Sequence, residues 1–135
     1  MMKLSRLAVL SLLAVLILTF GSLTAGCSSS SKSASFSTIS TATLQKMLES
    51  GDKFTLVDVR EAGDFKRGHI GKALNMPIGQ LESSYSQLDP NANIVLICYT
   101  GHTSQAAAQF LIDKKFTKVS SVSGGMNAWQ GPTVK

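Results

Sequence analysis

The chain is poor in the groups that hold metals. It has two histidines and two cysteines in 135 residues, and no cluster of His, Cys, Asp or Glu falls at metal-ligand spacing. No metal or other cofactor is expected. Runs of positive charge are also missing: the lysines are scattered and the aromatics do not interleave with them. A nucleic-acid surface is therefore not expected, despite a formal net charge of +5. There is no internal repeat. The longest apolar run, Leu7 to Phe20, is shorter than the roughly 20 residues a bilayer-spanning helix needs.

What that run does resemble is an export address. Lys3 and Arg6 precede it, and LTAGC at Leu23 to Cys27 closes it with small residues. The ending resembles a bacterial lipobox, which implies cleavage after Gly26 and diacylation of Cys27. Thr24 stands three before the cysteine, where Leu is the preference, and Leu23 lies one step earlier. A plain signal peptide or an uncleaved anchor is the alternative. Ser28 to Ser35 has too little apolar surface to fold and reads as a flexible tether. The organisation expected is a signal peptide over 1–26, a Ser-rich tether over 27–35 and one folded domain over 36–131, a usual size for a single domain. The location expected is the extracytoplasmic side of a bacterial cell envelope, with the chain lipid-anchored. Without Lys3 and Arg6, eleven basic side chains face eight acidic ones, a net charge of +3.

The folded part is organised around IVLICYTGHTSQAAAQFL. Ile94 to Ile97 form a continuous β-branched and apolar run, the pattern of a strand covered on both faces. After it, Ala107, Phe110 and Leu111 share one helical face, and Ser104 is the expected N-cap. Cys98 therefore ends a strand, with a five-residue loop, Tyr99 to Thr103, before the cap. Ligands bind at that end of open α/β sheets. Successive amides of such a loop can point inward and, with the helix N-terminus, form an anion cradle. The same amides would keep Cys98 ionised near neutral pH. A buried, inert core cysteine fits the local pattern equally well.

The cysteine count separates these two readings. If Cys27 carries lipid, Cys98 has no partner, and an unpaired exported thiol is a liability unless it is buried or has a job. A Cys27–Cys98 disulfide would join a tether to a strand end and is disfavoured.

Elsewhere the pattern alternates. A short edge strand is predicted over Phe36 to Ile39, then a helix capped by Ser40 and ended by Gly51, with Leu44, Met47 and Leu48 as its apolar stripe. Phe54 to Val57 is a strand, Glu61 to Phe65 a helical turn, Ala73 to Asn75 a strand stopped by Pro77, and Ile78 to Leu88 a further helix. Val119 to Val122 is the last strand and Gly125 to Trp129 a closing turn. This order predicts an α/β fold, a small parallel sheet with helices on both faces.

Four stretches together carry a resemblance: LVDVR at Leu56 to Arg60, GHIGKALNMP at Gly68 to Pro77, CYTGHTS at Cys98 to Ser104, and GGMNAW at Gly124 to Trp129. In this order the chain resembles a single-domain rhodanese, a thiosulfate sulfurtransferase. The resemblance implies that the Cys98 thiolate attacks the sulfane sulfur of thiosulfate, releases sulfite and holds the sulfur as a persulfide. A thiol or cyanide then takes it. It makes Tyr99, Thr100, Gly101, His102, Thr103 and Ser104 the substrate-binding loop. Asp58 and Arg60 become a supporting pair, buried and turn-capping, with Arg60 near the loop. The implied partners are a small sulfur-containing anion and a thiol acceptor, with no nucleic acid, and the chain is expected to be a monomer that meets the membrane through its lipid.

The loop departs from the family at its second and sixth positions, where Tyr99 and Thr103 replace the common arginines. Weaker attraction for a dianion is expected, since neither side chain replaces a bidentate guanidinium. Thr103 is expected to donate a hydrogen bond to the substrate, and His102 offers a titrating charge at the rim. His69, Trp129, Lys66 and Arg67 read as structural or surface residues. Two other classes are weighed. A cysteine phosphatase or arsenate reductase needs Arg six after the cysteine, where Ser104 stands. A non-catalytic anchored module or persulfide carrier would use the fold for contact or delivery.

Overall fold

The computed structural model describes residues 35–135. The signal segment, Cys27 and almost all of the tether expected above lie outside the described residues. The domain contains a five-stranded sheet in which every pairing is parallel. Its strands are β1 (Ser37–Ser40), β2 (Thr55–Asp58), β3 (Leu74–Asn75), β4 (Ile94–Ile97) and β5 (Val119–Ser123), in the spatial order β1-β5-β4-β2-β3. The helices are α1 (Thr41–Ser50), α2 (Ala62–Arg67), α3 (Leu81–Ser84) and α4 (His102–Asp113).

β4 is central because its residues are apolar in both directions. Ile94 and Leu96 join one core layer with Ala107, Ala108 and Leu111 of α4, while Val95 and Ile97 join the other with Leu44 of α1 and Ile70. All four β4 side chains are fully buried, and each such burial contributes about 2 kcal/mol. On the second face α1 begins where Ser40 Oγ accepts the Thr43 amide at 3.0 Å. It ends at Gly51, whose φ of 72° suits glycine.

Two local expectations are corrected. Ile78 to Leu88 is not one helix but a 3₁₀ turn over Ile78–Gln80, the single turn α3, and a second 3₁₀ turn over Tyr85–Gln87. The hydroxyls of Ser83 and Ser84 both donate to the Gln80 carbonyl, competing with the backbone ladder, and the stretch is anchored by buried Leu81 and Leu88 and by half-buried Tyr85. The second correction is that Ser104 does not cap α4. The cap lies three residues earlier, at Gly101 in a left-handed conformation, φ 98°, and the helix starts at His102.

The sheet order positions the site. After β2 the chain moves outward to β3, and after β4 it moves the other way to β5. A crevice therefore opens between the carboxyl ends of β2 and β4, the place where open parallel sheets bind ligands. β2 and β4 pair so that Asp58 faces Ile97. This sets the Val59-Arg60 turn directly beside Cys98.

Candidate active site

Cys98 follows β4, and its sulfur accepts the Gly101 amide at 3.1 Å and the Ser104 amide at 3.4 Å. The early start of α4 explains this arrangement. The Ser104 amide belongs to the first helical turn, where N–H groups have no intrahelical acceptor, and here one of them finds sulfur. Gly101 allows the chain to turn so tightly: a side chain there would be strained at φ 98° and would meet the Val122 carbonyl at 2.9 Å.

The outside of the loop is braced by the GGMN segment. Gly124, Met126 and Asn127 donate their amides to the carbonyls of Thr100 (3.1 Å), Cys98 (2.8 Å) and Tyr99 (2.9 Å). With three successive carbonyls held outward, the loop amides are left facing in. Gly125 makes this approach feasible, because a Cβ there would overlap the Cys98 and Tyr99 carbonyls. This bracing role carries no signature in the sequence beyond the two adjacent glycines. Trp129 does pack against the core layer of α1, but the brace is carried by the backbone.

Ser104 is fully buried and links the sulfur to the sheet. Its hydroxyl lies 3.6 Å from Cys98 Sγ, 3.1 Å from the Gly101 carbonyl and 2.8 Å from the Ser121 hydroxyl on β5. When Ser121 donates to Ser104 Oγ, the Ser104 proton is free to turn to a thiolate. Burial alone pushes the Cys98 thiol up. The Ser104 hydroxyl and the amides of Ser104, Gly101 and Thr100 together outweigh it and hold the thiol below its ordinary range. Ser121 was not singled out from sequence, since a serine inside a strand run carries no motif.

Cys98 is only 3 % exposed, and it borders a cavity of about 230 Å³. The deep part of this cavity consists of Cys98, Val59 and Arg60; Tyr99, Thr100, Glu61 and Ile78 form its more exposed rim, with Thr103 and Asp64 half-buried between them. Cys98 is buried, as either reading of it allows, and this cavity is the side on which its sulfur borders open space. Of the expected loop, Tyr99, Thr100 and Thr103 line the cavity, and Gly101 and Ser104 hold the sulfur. His102 does neither: it is exposed at the start of α4, away from the cavity lining.

Asp58 and Arg60 form the ion pair expected of them. Arg60 Nε lies 3.0 Å from both carboxylate oxygens and Nη2 lies 2.6 Å from Oδ2. Asp58 Oδ1 also accepts the Arg60 amide at 3.0 Å, closing the turn. Nη2 donates further to the Gly68 carbonyl at 2.9 Å, and the guanidinium lies 5.1 Å from the centre of the Tyr99 ring. Burial opposes the Arg60 charge, but Asp58, with a smaller contribution from Tyr99, raises its pKa above the usual guanidinium value. It stays cationic at the cavity wall. His69 serves the fold: its Nδ1 lies 3.0 Å from the Phe65 carbonyl and its ring stacks on Phe65.

This arrangement, a low-pKa thiol cradled by amides at the base of a cavity, suits a nucleophile that carries a bound group rather than a metal site. Among the described residues no group of three or more His, Cys, Asp or Glu is placed to hold a metal.

Known proteins share this layout. The chain is 37% identical over 95 residues to the thiosulfate sulfurtransferase GlpE of Shewanella oneidensis, covering 70% of this chain and 93% of that one. It is 32% identical over 105 residues to YrkF of Bacillus subtilis, a candidate sulfur carrier protein; the match covers 78% of this chain but only 57% of YrkF. Among solved structures, the rhodanese-like domain of the Anabaena protein Alr3790 superposes with a TM-score of 0.67 at 31% identity, over 72% of this chain and 77% of that domain. The model of the rhodanese-like domain matches residues 40–132, from the cap of α1 to the segment after Trp129, so this chain belongs to the rhodanese-like domain family.

Proposed function

We propose that the protein is a sulfurtransferase that moves the sulfane sulfur of thiosulfate or a similar donor to a thiol or cyanide acceptor, through a persulfide on Cys98. The observation that carries this reading is the placing of Cys98 Sγ at the base of a cavity, with the Gly101 and Ser104 amides directed at it. A thiolate held this way attacks the outer sulfur of the donor. Its S–S bond breaks, and the electron pair leaves with the departing group. The amides that held the thiolate then hold the persulfide, so neither state is left without donors. The family and the sulfurtransferase relative support the same chemistry.

The residue at position 104 argues against the phosphatase reading. Its clamp residue would stand at position 104, and Ser104 is fully buried with its hydroxyl turned to Ser121 and Gly101. Carrier function is a variant of the same chemistry, favoured by the likeness to YrkF; it differs in needing a protein or thiol acceptor for turnover. Intact mass after thiosulfate treatment tests the proposal. One added sulfur atom, removable by cyanide and missing in Cys98→Ser, is expected; no uptake by the wild type refutes it.

The reading includes delivery of this chemistry from a lipid anchor at Cys27, outside the cytoplasm, supported by the Lys3-Arg6 start, the apolar run and LTAGC. Cys27→Ser should release the chain from the membrane fraction. A chain that stays there unchanged argues against lipidation.

A further inference from the structure

The full charges around the cavity are distributed unlike those of a site for a dianion. Deep in it, the sulfur end is surrounded by amide N–H groups and the N-terminus of α4, a partial positive charge. The one guanidinium in the lining, Arg60, is engaged: Nε and Nη2 contact Asp58, Nη2 also bonds the Gly68 carbonyl, and the group lies by the Tyr99 ring. Farther out the lining carries two carboxylates, Glu61 and Asp64. Asp64 is paired with Arg67, whereas Glu61 is exposed and has no ion-pair partner among the described residues. The lining also offers the apolar surfaces of Val59, Ile78 and Tyr99.

Displacement at a divalent sulfur places the attacking sulfur, the transferred sulfur and the leaving atom roughly in line. The leaving group therefore points away from Cys98, toward the rim. For thiosulfate that group is sulfite, which would carry two negative charges past the unpaired carboxylate of Glu61. Resting on the reading of Cys98 as a sulfur acceptor, we infer that the donor this cavity prefers is a small organic persulfide, R–S–SH, whose organic part ends in an ammonium group. The Cys98 thiolate attacks the terminal sulfur, a bond forms between the two sulfurs, and the RS–SH bond breaks with its electron pair going to RS⁻. The transferred sulfur keeps its proton, and no outside oxidant or reductant is needed. The apolar middle of R lies along Val59, Ile78 and Tyr99, and its ammonium faces Glu61. Glu61 is then a specificity-determining residue. Its side chain makes no hydrogen bond at the start of α2, so it is free for this role.

The test compares two donors that share a two-carbon linker and carry opposite charge, cysteamine persulfide and 3-mercaptopropionate persulfide, with thiosulfate as a third. The rate of Cys98 persulfidation in the full-length chain is read by quenched mass spectrometry at low ionic strength. The cysteamine persulfide should react about tenfold faster than the carboxylate analogue, the scale on which a charged cleft concentrates a counter-ion, and faster than thiosulfate. The ratio should fall toward one in Glu61→Gln and with added salt, and should invert in Glu61→Lys. Equal rates for the two persulfides, a faster reaction with thiosulfate, or a ratio indifferent to Glu61 would overturn the inference while leaving the sulfurtransferase reading standing. Failure of Cys98 to take sulfur from any of the three donors would overturn both.

Discussion

One hydroxyl group leads the donors that hold the sulfur as an anion, with three amides beside it. Ser104 sits within reach of Cys98, of the Gly101 carbonyl and of Ser121, so the loop is tied to β5 through side chains as well as backbone. Thr103, one residue earlier, lines the cavity instead, and we propose that it donates a hydrogen bond to substrate. Replacing a neutral hydroxyl by a guanidinium adds charge-assisted bonds, each worth about 1.5–3 kcal/mol. Thr103→Arg should accordingly lower the Michaelis constant for thiosulfate by about tenfold in steady-state cyanide assays. A constant that does not fall would remove Thr103 from the substrate contact. At this scale the sequence was informative about the place of the cysteine and about the ion pair, because Cys98 ends an apolar strand and Asp58-Val59-Arg60 forms a motif. It was silent on Glu61, Asp64 and Ile78, which reach the cavity through the way the segments after β2 and β3 fold back on each other.

At the level of elements, two segments far apart in sequence shape one loop. β4 and α4 supply its ends, and the Gly124–Asn127 backbone holds its carbonyls outward. The pattern of strands and helices was legible because β4 is uniformly apolar and α1 carries both of its caps, Ser40 and Gly51. The start of α4 was not, since Ser104 has the chemistry of a cap while Gly101 has the backbone freedom for one, and the sulfur's demand for the Ser104 amide favours the earlier start. The brace yields a prediction of its own. Gly125→Ala places a methyl group against the Cys98 and Tyr99 carbonyls at a φ of 52°, and should destabilise the domain by at least about 2 kcal/mol. Thermal unfolding reads the loss, and iodoacetamide labelling of Cys98 should slow with it. An unchanged melting temperature together with unchanged labelling would mean that the brace does not shape the loop.

Across the folded domain, the order β1-β5-β4-β2-β3 makes the site, because it brings the ends of β2 and β4 together. Hydropathy and turn residues announced a parallel α/β sheet but not which strands are neighbours. The closeness of Arg60 to the cysteine loop came from the resemblance of four motifs, not from periodicity. A thiol in this setting differs from the same thiol in the unfolded chain in one way that can be read directly: its amide and hydroxyl donors exist only when the sheet and α4 are assembled. The pH dependence of Cys98 alkylation, followed by peptide mass spectrometry in the native and the denatured chain, therefore tests the account at its centre. The native rate should reach half its plateau at a lower pH than the denatured rate, which follows an ordinary thiol near about 8.5. A native inflection at or above the denatured one, or a native thiol that does not react at any pH, would contradict it.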